Sequence, residues 1–301
     1  MQTHSHQRPI FALLLRLLAI IALSTMLALV KLADESGLSL PEILFWRQFP
    51  ALPIVFGILL ASGRLDSLRT KRMPQHVVRM VIGLTSMSLN FTAFTLLPLA
   101  EATTLSFTSA IWAVILSALI LREHVGIWRW SAVALGFVGI LIIAQPGSGH
   151  FPLLGALVGM AAAFMIAVTS IYIRDMTQTE NSLTIVFYFT LFSLPILGAM
   201  LPFFWVEKTA TQWLMLIGIG LVGFIGQYLL TVALRYGTVS SVIVMDYSGL
   251  IWSTLLGWAI FEKLPVLATW LGGPLIVAAG LIITWREHRL AIPGRDTTNP
   301  G

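Results

Sequence analysis

Between residues 10 and 285 the chain is written as apolar runs of about twenty residues, separated by short polar or basic breaks. A run of that length, coiled as an α-helix, matches the hydrocarbon thickness of a bilayer. Ten such runs are expected, at 10–30, 40–61, 77–97, 99–121, 126–144, 153–173, 183–204, 212–234, 238–261 and 266–285. The expected fold class is therefore an all-α integral membrane protein with ten transmembrane helices. Breaks as short as Pro98 make neighbouring runs helical hairpins packed side by side. The first run follows a basic, polar start, as a cleaved signal peptide would. It is long enough to span and more spans follow, so it is expected to be retained.

Composition excludes the other solvent. With 57% hydrophobic and 10% charged residues and a mean hydropathy of +0.89, the chain carries more apolar surface than a water-soluble domain hides. The net charge of +5 raises the question of nucleic acid. The bases lie in short patches between apolar runs, with no basic stripe interleaved with aromatics, so nucleic acid is not an expected partner. The absence of Cys removes disulfides and thiolate sites.

An internal repeat divides the chain. SAIWAVILSALILRE from Ser109 matches SGLIWSTLLGWAIFEK from Ser248, with Glu123 falling on Glu262 at the same offset, and the surrounding stretches Phe91 to Ile143 and Leu230 to Ile283 correspond. The expected division is a tail at 1–9, a first repeat at 10–144, a linker at 145–152, a second repeat at 153–285 and a tail at 286–301. Lys and Arg set the orientation. All 18 lie toward one set of run ends except Lys31, Lys208, Lys263 and, inside the second run, Arg47. That bias puts both termini in the cytoplasm. Five spans per repeat is an odd number, so the two halves insert with opposite orientation, the construction of many secondary transporters.

These features resemble the ten-helix EamA branch of the drug/metabolite transporter superfamily: the twin repeat, Arg122-Glu123 and Glu262-Lys263 closing the fourth and ninth runs, the Gly-rich fifth and tenth runs, and Lys31 with Phe45-Trp46-Arg47 in the opening hairpin. The resemblance implies a basket-like bundle in the inner (plasma) membrane. It also implies a central cavity lined mainly by spans one, three, four, six, eight and nine, open alternately to each side.

Polar residues inside the runs are the candidate binding groups. Asp246 lies about 12 Å along the ninth run, where a carboxylate needs the bundle interior or a partner. It is either a cavity group, able to couple a proton or cation, or a paired structural acid. Asn90, Gln227, Tyr228, Tyr247 and Trp252 suit a flat or amphipathic solute, or glue helices together. Lys31, Glu42 and Arg47 are expected to gather at the outer end of the first hairpin, as a salt-bridge cluster or as an anion-attracting vestibule. Glu101 reads as an acid at a helix N-terminus, and Glu123 and Glu262 as boundary acids beside bases. Trp128, Trp130, Trp213, Trp270 and Trp285 are expected at membrane interfaces.

Gly218-Ile219-Gly220-Leu221-Val222-Gly223 fits a dinucleotide pattern but lies within an apolar run, where its glycines serve helix packing, as do Gly155 and Gly159. Asn90-Phe91-Thr92 fits a glycosylation pattern but is buried in the third run. No hydrolase, Walker A or metal-ligand spacing occurs, so neither cofactor nor metal is expected. The expected activity is secondary transport of a small organic metabolite or drug-like solute, with export favoured and uptake of a cofactor or nucleoside-like compound the alternative. A coupling proton or cation and a monomeric or homodimeric state belong to that expectation. An intramembrane enzyme or lipid-handling scaffold would need several catalytic groups at one depth, and the deep ionisable residues are nearly exhausted by Asp246 and Arg47.

Overall fold

The computed structural model describes residues 9–120, 127–144, 152–177, 179–236 and 244–290. Glu123, the 145–152 linker up to residue 151 and the ninth run up to residue 243 lie outside them. The described residues are helical, with no strand: α1 (Pro9–Glu35), α2 (Leu40–Gln48), α3 (Ala51–Ala61), α4 (Met73–Leu96), α5 (Leu99–Ser106), α6 (Ser109–Ile120), α7 (Ile127–Ala144), α8 (Leu153–Thr177), α9 (Ser182–Phe204), α10 (Ala210–Tyr236), α11 (Gly249–Phe261) and α12 (Leu267–Leu290). Short 3-10 turns occupy Leu65–Leu68 and Val244–Ser248. Among the described residues, seven helical stretches are long and apolar enough to cross a membrane: α1, α2 with α3, α4, α5 with α6, α8, α9 and α10. Trp130–Ile143 in α7 and Leu267–Ile283 in α12 are shorter apolar helices. Large apolar side chains such as Phe203, Leu214 and Leu267 face outward, as contact with lipid requires.

Two runs expected as single helices are broken. Pro50 has no N–H to give the Trp46 carbonyl, and α2 ends at Gln48 before α3 resumes at Ala51. The freed carbonyl and the Pro50 ring lie where a side chain on Gly220 of α10 would stand, so the bend seats in a glycine notch. The fourth run breaks at Phe107 and Thr108. There the Ser106 and Thr108 hydroxyls donate to the carbonyls of Thr103 and Leu105, each at 2.7 Å, in competition with the helical ladder.

Glycines turn the chain at the two ends of the bundle. Gly37 (φ +89°) follows α1 and Gly63 (φ +64°) follows α3, both in the left-handed region that spares glycine a steric cost. Glu262 adopts the same conformation (φ 54°) after α11, so this boundary acid also ends its helix by a left-handed residue. Hereafter the Gly37 end carries the α1–α2 and α9–α10 connections, and the Gly63 end carries α3–α4 and α8–α9.

The principal helix pairs are α1 with α10, α4 with α8, and α7 with α12. Small residues permit these approaches. A side chain at Gly139 would meet the Gly272 carbonyl and the reverse holds at Gly272, while Gly155 and Gly159 admit Leu97 and Leu105. Along α10, Gly218 and Gly223 face Leu29 and Met26 of α1, which bears out the packing role of that glycine-rich stretch.

Candidate functional site

The bundle contains a cavity of about 500 Å³, within the range of small-molecule sites. Its wall comes from α2 and α3, α4, α8, α9 and α10. The second, third, sixth, seventh and eighth runs thus line it, in place of the first, third, fourth, sixth, eighth and ninth implied by the family resemblance. The bend at Pro50 accounts for part of the difference, because Arg47 and Gln48 before it and Ala51, Val55 and Ile58 beyond it all reach the wall. The lining runs from Arg47 and Asn90, near mid-bundle, to Ile58, Leu183 and Val232 toward the Gly63 end.

The electrostatics of this wall are one-sided. Arg47 and Arg79 both line it, and among the described residues no Asp or Glu does. Arg47 donates from Nη1 to Gln48 Oε1 at 2.9 Å, and Gln48 in turn donates to Ser193 Oγ at 3.2 Å. The Arg79 guanidinium lies 4.6 Å from the centre of the Phe189 ring, a cation–π contact that offsets part of its desolvation. Among the described residues, Arg47 Nε and Arg79 Nε and Nη1 are buried without a hydrogen-bond partner, and so are the hydroxyls of Thr169 and Thr190. All four residues line the cavity. Gly83, one turn beyond Arg79, provides the room: a Cβ there would collide with the guanidinium and crowd Phe189.

Of the residues expected to bind solute, Arg47, Asn90, Gln227 and Tyr228 meet in this cavity. Tyr228 is stacked on Phe224 with ring centres 6.2 Å apart. Asp246, Tyr247, Trp252 and Lys31 are not among the lining residues. Asp246 is gripped by Arg16 of α1, with Nε to Oδ1 at 2.6 Å and Nη2 to Oδ2 at 2.5 Å. Tyr247 packs edge-on to Phe107 at 5.0 Å, and its hydroxyl occupies the space beside Gly280. Trp252 lies on α11 with its indole nitrogen buried and without a partner among the described residues.

The expected cluster of Lys31, Glu42 and Arg47 does not form. Lys31, 4% exposed, donates to the carbonyls of Phe94, Thr95 and Leu97 at 3.1, 3.2 and 2.7 Å. It closes the C-terminus of α4, where orphan carbonyls and the helix dipole favour a cation. Glu42 accepts from the Ser39 backbone at 3.3 Å, capping α2, and pairs with Lys208 at 2.7 Å with both side chains wholly withdrawn from solvent. The Lys208 ammonium lies 3.3 Å from the Trp205 ring centre and 5.4 Å from that of Trp213. This cage ties the α9–α10 connection to α2 at the Gly37 end. At the Gly63 end, Arg72 reaches Asp175 at 2.8 Å and Thr179 at 2.7 Å, and Thr70 donates to Glu180 at 2.6 Å. Glu101 stands in the first turn of α5 and accepts from the Val266 backbone at 3.3 Å and the Thr269 hydroxyl at 3.4 Å. Trp128, Trp130, Trp270 and Trp285 are exposed, whereas Trp213 packs on Trp46.

Sequence reasoning missed Arg79, Arg16 and Lys208. Each was counted only as a mark of orientation, yet Arg79 and Arg16 lie about 9 Å and 10 Å along their helices from the start, too deep to be boundary bases. That depth was an available signal for Arg16, the seventh residue of its run, but not for Arg79, which stands two residues inside the expected third run and is deep only because the helix starts at Met73.

Residues 10–145 and 153–285 both match the EamA-like transporter family. The chain belongs to that family. Among EamA-like proteins, the riboflavin transporter of Vibrio cholerae is 31% identical over 241 residues, covering 79% of this chain and 80% of that protein. The pseudopaline exporter of Pseudomonas aeruginosa is 31% identical over 277 residues, covering 90% and 95%. A crystal structure of a further protein, 22% identical, matches with a TM-score of 0.62 over 93% of this chain and 99% of the other. That likeness is one of fold. This EamA-like chain is thus a multi-pass membrane protein of a small-molecule transporter family.

Proposed function

We propose that the chain is a secondary carrier moving a small organic solute by alternating access, as ten passes in two inverted five-helix units, 10–144 and 153–285. It sits in the inner membrane with the Gly63 end and both termini cytoplasmic. The helix contacts support that symmetry. Exchanging each run with its counterpart five places on maps α1–α10 onto α8–α4 and α2–α10 onto α9–α4, and returns α7–α12 and α5–α11 to themselves.

The observation that carries the reading is the cavity of about 500 Å³, set between the Glu42–Lys208 pair at one end and the Arg72–Asp175 connection at the other. Alternating access then consists of opening one closure while the other holds. Arg47, Asn90, Gln227 and Tyr228 contact the solute. Lys31, Tyr247 and Trp252 support the helices that carry it. Asp246 is the candidate for proton or cation coupling, through opening of its pair with Arg16. We favour export, the direction named for the Pseudomonas relative, over uptake.

Reconstitution tests this reading. Proteoliposomes loaded with a metabolite mixture should exchange at least one component faster than protein-free vesicles, and a maleimide-blocked Asn90→Cys chain should lose that exchange. Cysteines at Ser67 and Gly149 should label from opposite faces. No solute movement above the protein-free rate, or labelling of both cysteines from one face, contradicts the proposal.

A further inference from the structure

Two guanidinium groups opening on one low-dielectric cavity are an unusual expense. Each is costly to withdraw from water, and like charges on one cavity wall repel. Elsewhere in the bundle such charges are neutralised: Arg16 by Asp246, Lys208 by Glu42 and Lys31 by three carbonyls. Arg47 and Arg79 differ. Among the described residues neither forms an ion pair, three of their nitrogens have no acceptor, and two hydroxyls on the same cavity wall, of Thr169 and Thr190, are unsatisfied. Arg79 is only 9% exposed, so bulk water does not compensate it. The rest of the described wall holds neutral polar groups, Asn90 and Gln227 among them, and an apolar and aromatic part that includes Met87, Phe189 and the stacked Phe224–Tyr228 pair.

We infer that the cavity is an anion site, selecting an organic solute whose carboxylate or phosphate oxygens bridge Arg47 and Arg79 while a flat apolar body lies against the Phe224–Tyr228 face. Arg forks match either oxygen group in paired hydrogen bonds. The inference rests on the carrier reading for its statement that the bound molecule is cargo; the anion site itself does not.

The experiment is calorimetric titration of the purified full chain in phosphatidylcholine nanodiscs with three probes of one shape: naphthoate, naphthamide and naphthylmethylamine. The wild-type chain should bind naphthoate at least about 10-fold more tightly than the amide or the amine, the range expected for charge-assisted hydrogen bonds. Arg79→Gln and Arg47→Gln should each weaken naphthoate by about 10-fold or more, and Arg64→Gln, at an exposed position, should leave it unchanged. Should a Gln variant fail to fold, Arg79→Lys replaces it and should keep the anion preference at reduced affinity, because the charge remains and the fork is lost. Absence of a carboxylate preference in the wild-type chain, including no binding of any probe, overturns the proposal, as does undiminished naphthoate binding in both arginine variants. A repeat in phosphatidylglycerol nanodiscs separates a soluble anion from a lipid phosphate: abolished naphthoate binding there assigns the site to lipid and also overturns it. Naphthoate counterflow in proteoliposomes is read separately. Binding without counterflow leaves the anion site standing and removes the carrier reading; counterflow of all three probes alike does the reverse.

Discussion

Arg16 holds Asp246 by two parallel bonds, at 2.6 and 2.5 Å, across 230 positions of sequence. The pair ties the first third of α1 to the turn that enters α11. Asp246→Asn would leave Arg16, whose side chain is 7% exposed, without its counter-charge. It should lower stability by about 1–3 kcal/mol, and Arg16→Met added to it should recover part of the loss. Thermal unfolding of both variants in detergent reads the comparison. A double variant no more stable than Asp246→Asn would show that the pair is not what holds these helices.

Glu42 and Lys208 make a harder case, since both are fully withdrawn from solvent. Removing one partner of such a pair costs about 3–5 kcal/mol. Glu42→Gln should therefore fold with a lowered melting temperature and let an impermeant maleimide reach Asn90→Cys from the Gly37 face. Continued protection of that cysteine in the Glu42→Gln background would detach the pair from gating.

Gly83 tests the arginine geometry without touching a charge. An added methyl group would occupy the place of the Arg79 guanidinium and press on Phe189. Gly83→Ala should fold, since alanine favours helix by about 1 kcal/mol over glycine. It should weaken naphthoate binding by about 10-fold, as losing the Arg79 hydrogen bond would. Equal affinity in the two chains would mean that the guanidinium moves aside at no consequence.

Lys31 is expected to matter for stability alone. Its ammonium gathers three carbonyls at the end of α4, so Lys31→Met should cost about 2–3 kcal/mol, the upper range for a charged hydrogen bond. The ratio of naphthoate to naphthamide affinity should not change. A changed ratio would place Lys31 in the binding field after all.

Much of this was legible in the runs themselves, because hydrocarbon thickness dictates helix length and glycine spacing dictates close approach. Asn90, Gln227, Tyr228 and Arg47 were recognisable for the same reason: polar groups deep in a span need an interior. What escaped was pairing. Asp246 appeared solitary because its partner lies on α1, in a stretch where a base also satisfies the topology rule. Lys208 reads only as one of the few bases outside the cytoplasmic bias, but Trp205 and Trp213 flank it where it meets Glu42. Arg79 was counted toward orientation, and only the tertiary arrangement brings it to the same wall as Arg47. The Lys31–Glu42–Arg47 cluster failed because proximity in sequence is a poor guide on helices, where each residue turns about 100° from the last.

The bend at Pro50 has a mechanical corollary. Its freed carbonyl and ring are lodged against Gly220, so the joint cannot straighten or deepen unless α10 shifts in step. Arg47 hangs just before that joint, and Gln227 and Tyr228 sit two turns farther along α10. Whatever pulls on the arginine is therefore geared, through one glycine, to the neighbouring wall that carries Gln227 and Tyr228.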